Sequence, residues 1–232
     1  MAILLAFGMA FSPLHGAALA AAYSSYGSYQ QGWEGAFRIP FLVRWPGHIP
    51  AGSVSNNIMS HLDWLPTLLA AAGAPDITDK LLTSYKANGK RFKVHLDGYN
   101  FLPYLTGETQ ASPRESYFYF SDDGDLLAMR YDNWKLHFAQ QRTPGTLDIW
   151  AEPFVKTRVP FIYNLRTDPY ERVSITSNTY WDWLLDHAFL LVPAQSYVGQ
   201  FLATFKDYPP RQKAASFTVD EALEMLQKSA SS

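Results

Sequence analysis

Residues 116–138, SYFYFSDDGDLLAMRYDNWKLHF, decide the fold. Three short aromatic or apolar segments, 117–120, 126–131 and 134–138, are separated there by Asp-Asp-Gly-Asp and Asp-Asn. Closely spaced β-prone segments joined by Asp-Gly and Asp-Asn turns are typical of an antiparallel meander. We therefore predict three consecutive antiparallel strands. Residues 161–165, FIYNL, predict a further strand that ends at Thr-Asp-Pro.

A helical pattern follows these strands. Residues 180–192 form a predicted aromatic helix, because their apolar side chains recur at steps of three and four residues. Its predicted buried face consists of Trp181, Leu184, Leu185, Ala188 and Leu191. Pro193 is expected to break the helix, which resumes over 194–205. A capping-box pattern predicts a terminal amphipathic helix over 218–226.

The first half of the chain has a different pattern. Residues 37–45, FRIPFLVRW, are mostly apolar and β-prone and predict a buried strand. Asp63 is expected to cap a short helix that ends at Gly73, and a helical turn is predicted at 101–105. Residues 84–93 are predicted to form a polar loop. Helices and strands together predict a mixed α/β protein.

The composition excludes several classes of protein. The chain has 232 residues, of which 47% are hydrophobic and 17% charged, so an intrinsically disordered chain is excluded. With 19 Lys and Arg against 21 Asp and Glu, the net charge is −2, and neither nucleic acid nor an anionic membrane surface is the expected partner. The absence of cysteine excludes disulfides, thiolate metal sites and thiol nucleophiles.

The first 31 residues contain no Asp, Glu, Lys or Arg. An apolar core at 2–11 and a small-residue run at 17–22 resemble a secretory signal, which would place the protein in the periplasm or outside the cell. The positively charged start of such a signal is missing, so an atypical start is the alternative. The apolar run is too short to span a bilayer, and no membrane span is predicted.

Histidine and carboxylate pairs are the candidates for metal binding or acid–base chemistry. His61 and His95 each begin a His-Leu-Asp tripeptide, and residues 121–125 form an acidic turn without the EF-hand pattern. Structural roles account better for the two tripeptides and the acidic turn. Asp63 is expected to cap a helix, Asp97 precedes a turn glycine, and the acidic turn is expected to close a hairpin. The residues alone therefore predict no catalytic group and no metal ligand.

Five segments resemble motifs of the sulfatase family. They are WEGAFRIPFLVRWPG at 33–47, SHLDWLPTLL at 60–69, DGYNFLPYLTG at 97–107, LAMRYDNWK at 127–135 and YNLRTDPYE at 163–171. Their order is that of the family, and together they extend the resemblance over about residues 32–230. The resemblance is to the C-terminal part of an arylsulfatase.

The resemblance implies a fold and a domain organisation. Sulfatases are alkaline-phosphatase-like α/β proteins, so residues 32–110 are expected to be the end of the large α/β domain, with 37–45 at the edge of its sheet. Residues 111–232 are expected to form a C-terminal four-stranded antiparallel sheet with packed helices, which makes this stretch α+β. Residues 1–31 are an atypical apolar leader with no expected place in the fold.

The resemblance also implies sulfuric ester hydrolysis, with a sulfate ester as substrate. Family members use a formylglycine made from Cys or Ser in C/S-x-P-S-R and a divalent cation, usually Ca²⁺, held by Asp and Asn residues; all of these lie upstream of the Trp-Glu-Gly segment. This chain has no such motif, and Ser28–Gln31 lack the family's sulfate-binding lysine. The chain is therefore expected to lack nucleophile and metal ligands, to be inactive alone and to need the N-terminal sulfatase portion as its partner.

Trp33 and Glu34 are the candidate substrate-binding residues, because the family's chain approaches the site there and both could line the pocket rim. In the alternative interpretation, Trp33 packs in the interior and Arg38 makes a buried carboxylate pair. Two other functions remain open for the chain as a whole. It could derive from a phosphonate or phosphodiester hydrolase of the same superfamily, or it could be a non-catalytic interaction fragment.

Overall fold

The computed structural model describes residues 32–143 and 151–209. The predicted leader at 1–31 and the predicted terminal helix at 218–226 lie outside the described residues. The helices are α1 (Glu34–Phe37), α2 (Trp64–Ala71), α3 (Ile77–Thr83), α4 (Leu102–Thr106), α5 (Val173–Thr176), α6 (Tyr180–Asp186) and α7 (Leu191–Ala203). The strands are β1 (Tyr85–Ala87), β2 (Lys90–Phe92), β3 (Ser116–Phe120), β4 (Leu126–Tyr131), β5 (Trp134–Gln140) and β6 (Val155–Asn164). Short 3-10 turns cover His61–Asp63, Ala188–Leu190 and Thr204–Lys206.

Strands β3 to β6 form a four-stranded antiparallel sheet in sequence order, which confirms the predicted meander and its fourth strand. The acidic turn closes the first hairpin, since the Ser121 backbone N–H donates to the Asp125 carbonyl at 2.9 Å and Gly124 takes a φ of 87°. Asp132 takes a φ of 48° in the second turn, which Asp tolerates better than most residues. Local turn chemistry therefore sets the register of the sheet.

Side chains alternate between the two faces of this sheet. One face packs against α6 and α7 through the buried side chains of Met129, Leu136, Ile162, Tyr180, Leu184 and Ala194. The Tyr180 hydroxyl donates to the Ile162 carbonyl and accepts from the Ile162 N–H, both at 3.0 Å. Strand β6 lies at the edge of the sheet, so these two bonds satisfy backbone groups that its neighbour leaves open. Phe37 and a buried group of charged residues cover part of the other face.

The predicted helix over 180–192 is wrong in its boundaries and in part of its buried face. It divides at His187, and Pro193 lies inside the first turn of α7, where a missing N–H removes no helical hydrogen bond. Leu184 is 2% exposed, whereas Leu185 is 70% exposed and Trp181 points outward as well. Aromatic and apolar residues line both sides of this helix, so periodicity alone did not distinguish its inner face from its outer one.

The predicted strand at 37–45 is also wrong. Phe37 ends α1, and residues 38–45 pair with none of the described strands. Ile39, Phe41 and Leu42 are exposed along this segment. A β-prone sequence forms a strand only where a neighbour supplies the ladder hydrogen bonds, and within 32–143 and 151–209 no neighbour does so.

The predicted polar loop at 84–93 is instead the hairpin β1–β2, in which Lys86 pairs with Arg91. Asn88 and Gly89 form its turn with φ values of 46° and 76°. Asn-Gly is the preferred pair for such two-residue turns, so the signal was present in the sequence. The helical turn predicted at 101–105 is confirmed as α4, which ends at Gly107 in the left-handed conformation.

Asp63 anchors the first half of the chain to the sheet. Its buried carboxylate accepts from the Ser60 N–H at 2.7 Å and the Tyr99 N–H at 2.8 Å. Arg114 donates to both oxygens of the same carboxylate, at 2.9 and 2.6 Å. The prediction that the Asp63 side chain caps α2 is therefore wrong. Asp63 instead completes a capping box with Ser60 and pairs with Arg114.

One helical stretch of the described residues, Ala188–Lys206, is long and apolar enough to cross a membrane by length and composition. This criterion is weak, because core helices and signal sequences also meet it. Leu191, Ala194 and Val198 of this stretch pack against the sheet. The stretch therefore lies on the sheet as a surface helix with one packed side.

We predict that Leu184→Ala lowers the free energy of unfolding by about 2–5 kcal/mol, because it leaves a cavity against the sheet. Leu185→Ala should change it by less than about 0.5 kcal/mol, since Leu185 is exposed. Urea unfolding of the two variants, followed by far-UV circular dichroism, measures both values. Equal losses of unfolding free energy in Leu184→Ala and Leu185→Ala would contradict the packing of α6.

Candidate functional site

A buried group of charged residues occupies the sheet face opposite α6 and α7. It consists of Glu34 from α1, Lys135 and His137 from β5, and Glu171 from the loop after β6; each is 0–1% exposed. We call these four residues the ion cluster. Burying a charge costs several kcal/mol unless partners compensate, so the contacts of each member decide what the cluster can do.

Lys135 lies at the centre of the ion cluster. Its Nζ is 3.2 Å from Glu34 Oε1 and 3.0 Å from Glu171 Oε1. The same ammonium donates to the Gly32 carbonyl at 2.6 Å and lies 4.1 Å from the centre of the Tyr119 ring. All three ammonium protons are thereby directed at oxygen atoms, and the aromatic face adds a cation–π contact.

Glu34 is held by its backbone and by its side chain. Its N–H donates to Glu171 Oε2 at 2.7 Å, and Arg130 Nη1 donates to its Oε2 at 2.8 Å. The Tyr119 hydroxyl donates to Oε1. Burial by itself raises the pKa of Glu34, but the charges of Lys135 and Arg130 outweigh burial and hold the pKa below its ordinary value. Glu34 is therefore a buried carboxylate that accepts from Tyr119 and Arg130 and lies against Lys135.

Glu171 and His137 form the second half of the ion cluster. Glu171 Oε1 lies 2.7 Å from His137 Nε2. Burial opposes ionisation of Glu171, but Lys135 and His137 lower its pKa to about 2. Burial lowers the pKa of His137, against the opposing effect of Glu171, so the imidazole is neutral at pH 7. A neutral ring that donates from Nε2 leaves Nδ1 as an acceptor, and among the described atoms this buried Nδ1 has no partner.

The loop that carries Glu171 is fixed by its own hydrogen bonds. Asp168 accepts from the Arg172 N–H at 3.0 Å and from the Val173 N–H at 2.8 Å. Glu171 itself takes a φ of 54°, a left-handed conformation that is uncommon for a residue with a side chain. The loop therefore turns sharply at Glu171 and directs its carboxylate toward β5.

Trp33 covers the ion cluster from the side of α1. Its Nε1 donates to the Gln141 carbonyl at 3.1 Å, and its ring stacks on His137 with 4.5 Å between ring centres. The Arg142 guanidinium lies 4.2 Å from the same ring. Both predicted substrate-binding residues, Trp33 and Glu34, are thus buried in the described structure. Contact of either side chain with a substrate stays a prediction.

The alternative interpretation of this segment was right about Trp33, and Arg38 does face a buried carboxylate, but Arg38 itself is not buried. Arg38 Nε is 4.0 Å from Glu34 Oε2, but the Arg38 side chain is exposed. The buried carboxylate is Glu34, and its close cationic partners are Lys135 and Arg130. The sequence carried a signal for the cluster, since Lys135 and His137 occupy alternate positions of a predicted central strand. Charged groups on the inner face of such a strand need buried partners.

No candidate metal ligands come together in the described parts of the chain, where no group of three or more His, Asp and Glu side chains could hold an ion. His61 is exposed, and Asp63 is engaged by Arg114. His95 Nδ1 lies 3.1 Å from Asp97 Oδ1 near the surface, as an isolated pair. These described residues do not fit the calcium ion implied by the resemblance.

Chemically, the ion cluster is a structural network of ion pairs rather than an acid–base site. Glu34 and Glu171 carry two negative charges, and Lys135 and Arg130 carry two positive charges that face them. Neutral His137 adds one donor to Glu171. The cluster connects the chain at Gly32, strand β5 and the loop after β6, and holds the backbone of each at a fixed place.

We predict that Lys135→Met lowers the free energy of unfolding by about 3–5 kcal/mol, because two buried carboxylates lose their shared cation. Lys156→Met is the matched control, since Lys156 is exposed on the neighbouring strand and should change stability by less than about 0.5 kcal/mol. Urea unfolding at pH 7 measures both. A loss at Lys135 no larger than the control's would show that the cluster does not stabilise the fold.

We predict that stability falls steadily as the pH decreases from about 7 toward 2. His137 and Glu171 both have folded-state pKa values below their ordinary values of 6.5 and 4.5. The unfolded chain therefore binds more protons over this range, and acid favours unfolding. Thermal unfolding at several pH values measures the slope. Glu171→Gln should make the slope below pH 4.5 shallower, and an unchanged slope in that variant would contradict the role of Glu171.

Comparison with known proteins gives the family. A sequence profile described as the C-terminal region of aryl-sulfatase matches residues 112–229. A second profile, described as sulfatase, matches residues 15–74 and so begins inside the segment predicted as a leader. The three segments that build the ion cluster fall partly in the first match and partly in the second.

Individual sulfatases are similar to this chain. Arylsulfatase A of Homo sapiens is 34% identical over an alignment of 154 positions, which covers 62% of this chain and 27% of the human protein. N-acetylgalactosamine-6-sulfatase of Canis lupus familiaris is 29% identical over an alignment of 218 positions, which covers 80% of this chain and 38% of that protein. The crystal structure of PsFucS1 sulfatase from Pseudoalteromonas sp. superposes with a TM-score of 0.59 at 26% identity, over 80% of this chain and 33% of that one.

The chain thus spans between a quarter and two fifths of the length of these relatives. The expected fold class is confirmed, with mixed helices and antiparallel sheets and a sulfatase as structural neighbour. Because the C-terminal profile covers about half of the sequence, the chain belongs to the sulfatase family and contains the C-terminal region of an arylsulfatase.

Proposed function

We propose that this chain supplies the C-terminal part of a sulfuric ester hydrolase of the arylsulfatase type, with a sulfate ester as substrate. The observation that carries the proposal is the ion cluster. Glu34, Lys135 and Glu171 come from three separate segments that resemble sulfatase motifs, and they meet within 3.2 Å of one another through Lys135 Nζ. Three segments that resemble sulfatase motifs and are far apart in the sequence thereby contribute to one buried group of side chains.

In this proposal the ion cluster positions the backbone that leads into the rest of the enzyme. Lys135 holds the Gly32 carbonyl at 2.6 Å, and Gly32 has a φ of 73°, a conformation that residues with a side chain rarely adopt. The resemblance places the sulfate-binding region of family members just before Trp33. Trp33 and Glu34 would then act on the pocket rim by fixing this segment. Direct contact of either with the sulfate ester stays a prediction.

We further propose that the chain as printed does not hydrolyse sulfate esters by itself. The sequence contains no cysteine and no Ser-x-Pro-Ser-Arg, so the source of the family's formylglycine nucleophile is not in it. The described residues do not fit a calcium site. The proposed partner is the N-terminal sulfatase portion, and the proposed boundary at residues 110 and 111 assigns the four-stranded sheet to the C-terminal unit.

The test of activity uses the purified chain with p-nitrophenyl sulfate, with and without Ca²⁺. We expect no turnover above buffer, because sulfate ester hydrolysis is slow without a nucleophile and a metal ion. Lys135→Met serves as the matched control, since it should change stability and leave this absence of turnover unchanged. Turnover that survives a second purification would overturn the proposed inactivity.

The reading frame upstream of the printed chain tests the proposed parent enzyme. A Cys-x-Pro-Ser-Arg motif there would support an arylsulfatase. A threonine at the nucleophile position would favour a phosphonate or phosphodiester hydrolase of the same superfamily. If no sulfatase sequence is encoded upstream, the chain is an interaction fragment and the proposal fails.

A further inference from the structure

The hairpin β1–β2 and its flanks concentrate positive charge. Residues 80–96, KLLTSYKANGKRFKVHL, contain five Lys and Arg residues and no Asp or Glu. The rest of the chain is left with 14 Lys and Arg residues against all 21 Asp and Glu residues. Positive charge is thus segregated to the hairpin against an acidic remainder, which makes the hairpin a candidate surface for an anionic partner.

Three cations of the hairpin strands form no ion pair with any carboxylate of the described residues. Lys80, in the preceding helix α3, differs from them because it pairs with Asp76 at 2.8 Å. All three cations of the strands are exposed. They are Lys86, Lys90 and Arg91, and we call them the basic tip.

Strand pairing holds the basic tip together against its own repulsion. Lys86 lies directly opposite Arg91, and Lys90 occupies the next position toward the turn. Like charges in directly opposite positions destabilise an antiparallel pair. The Asn88-Gly89 turn, with φ values of 46° and 76°, is of the kind that favours a tight hairpin and so keeps the cations close. An anion bound between Lys86 and Arg91 would relieve their repulsion.

The geometry of the basic tip suits oxyanions such as sulfate groups. Cα atoms of directly opposite residues lie about 4.5–5.5 Å apart, so the long side chains of Lys86 and Arg91 can reach the same group. A guanidinium presents paired N–H donors to two oxygens of an oxyanion, and an ammonium adds a compact positive charge. Lys90 lies on the other side of the two-stranded sheet, since adjacent strand positions alternate. A ligand with several anionic groups can therefore contact both sides of the tip.

The surroundings of the basic tip favour a sulfated polysaccharide over a membrane. Tyr85 and Phe92 lie opposite each other, on the same side as Lys90, and are 36% and 40% exposed. The faces of aromatic rings are negative and attract the polarised C–H groups of a sugar. A planar bilayer cannot meet cations on both sides of a hairpin at once, and anionic membranes are typically bound by clusters of about four to eight Lys and Arg residues.

We propose that the basic tip binds sulfate groups along a sulfated polysaccharide. The proposal rests on the proposed function, since a sulfate ester substrate is what selects sulfate among the oxyanions. The net charge of −2 disfavours nucleic acid, the other common anionic polymer. A polysaccharide held at the basic tip keeps further sulfate ester groups of the same polymer at a high local concentration.

The affinity of the full chain for dextran sulfate, measured by isothermal titration calorimetry, tests the proposal. The variant that combines Lys86→Gln, Lys90→Gln and Arg91→Gln should bind at least about tenfold more weakly, because it loses three charged hydrogen-bond donors. All three positions are exposed, so the variant should keep the unfolding temperature of the unmodified chain. Unsulfated dextran should bind neither protein. Unchanged affinity for dextran sulfate in the triple variant would overturn the proposal.

A second triple variant is the matched control. Lys156→Gln, Arg158→Gln and Arg166→Gln together remove the same charge from exposed positions elsewhere. This control should change the affinity for dextran sulfate by less than about twofold, since exposed charges at a distance are screened. Equal losses of affinity in the two triple variants would overturn the proposal, because the polymer would then respond to general charge and not to the hairpin.

Two further ligands separate the classes of partner. Vesicles that contain phosphatidylserine and duplex DNA are titrated under the same conditions. Tighter binding of either than of dextran sulfate, with loss in the basic-tip variant, would overturn the assignment to a sulfated polysaccharide. Binding needs no turnover, so its failure is distinguishable from a missing nucleophile motif upstream, which is the failure of the proposed function.

Hydrogen exchange locates the contact. Addition of dextran sulfate should slow the exchange of backbone amides in residues 86–91 by at least about threefold, because a bound polymer reduces local opening of the hairpin. Amides of residues 126–140, in the four-stranded sheet, should exchange as before. Protection in the four-stranded sheet without protection of the hairpin would overturn the proposal.

Discussion

The buried ammonium of Lys135 is the interaction on which the arrangement of this chain depends. It lies between the carboxylates of Glu34 and Glu171, at 3.2 and 3.0 Å, where water does not reach it. Without the ammonium, both buried carboxylates would lose the cation that they share, and without the carboxylates the ammonium would be a buried charge with no counter-charge in contact. Lys135 therefore links helix α1, strand β5 and the loop after β6 through contacts with each of them.

The buried and charged surroundings of Lys135 also decide the protonation state of its neighbour His137. Burial is the main cause that lowers the pKa of His137; Glu171 opposes it, and the positive charges of Lys135 and Arg142 lower the pKa further. His137 accordingly stays neutral and donates to Glu171. A neutral imidazole is also the ring on which Trp33 stacks.

Local signals account for the parts of the fold that the sequence predicted correctly. The meander followed from its Asp-Gly and Asp-Asn turns, and α4 followed from its glycine stop. Periodicity failed at Leu185, because apolar residues line both sides of its helix, and it failed at residues 37–45, because a strand depends on a neighbour elsewhere in the chain. The ion cluster was missed for the same reason: Glu34 and Glu171 are 137 residues apart, and Lys135 and Gly32 are 103 apart.

The use of ions rather than apolar side chains at this junction has a physical consequence. An apolar cluster of similar volume would be as stable or more so, but apolar contacts are non-directional and tolerate small shifts. The ion cluster instead imposes hydrogen bonds of 2.6 to 2.7 Å on the Gly32 carbonyl, the Glu34 N–H and the Glu171 carboxylate. Directional bonds of this length fix the backbone before Trp33 in one place. We infer that the buried charges cost some stability and hold the backbone at this junction in a precise position.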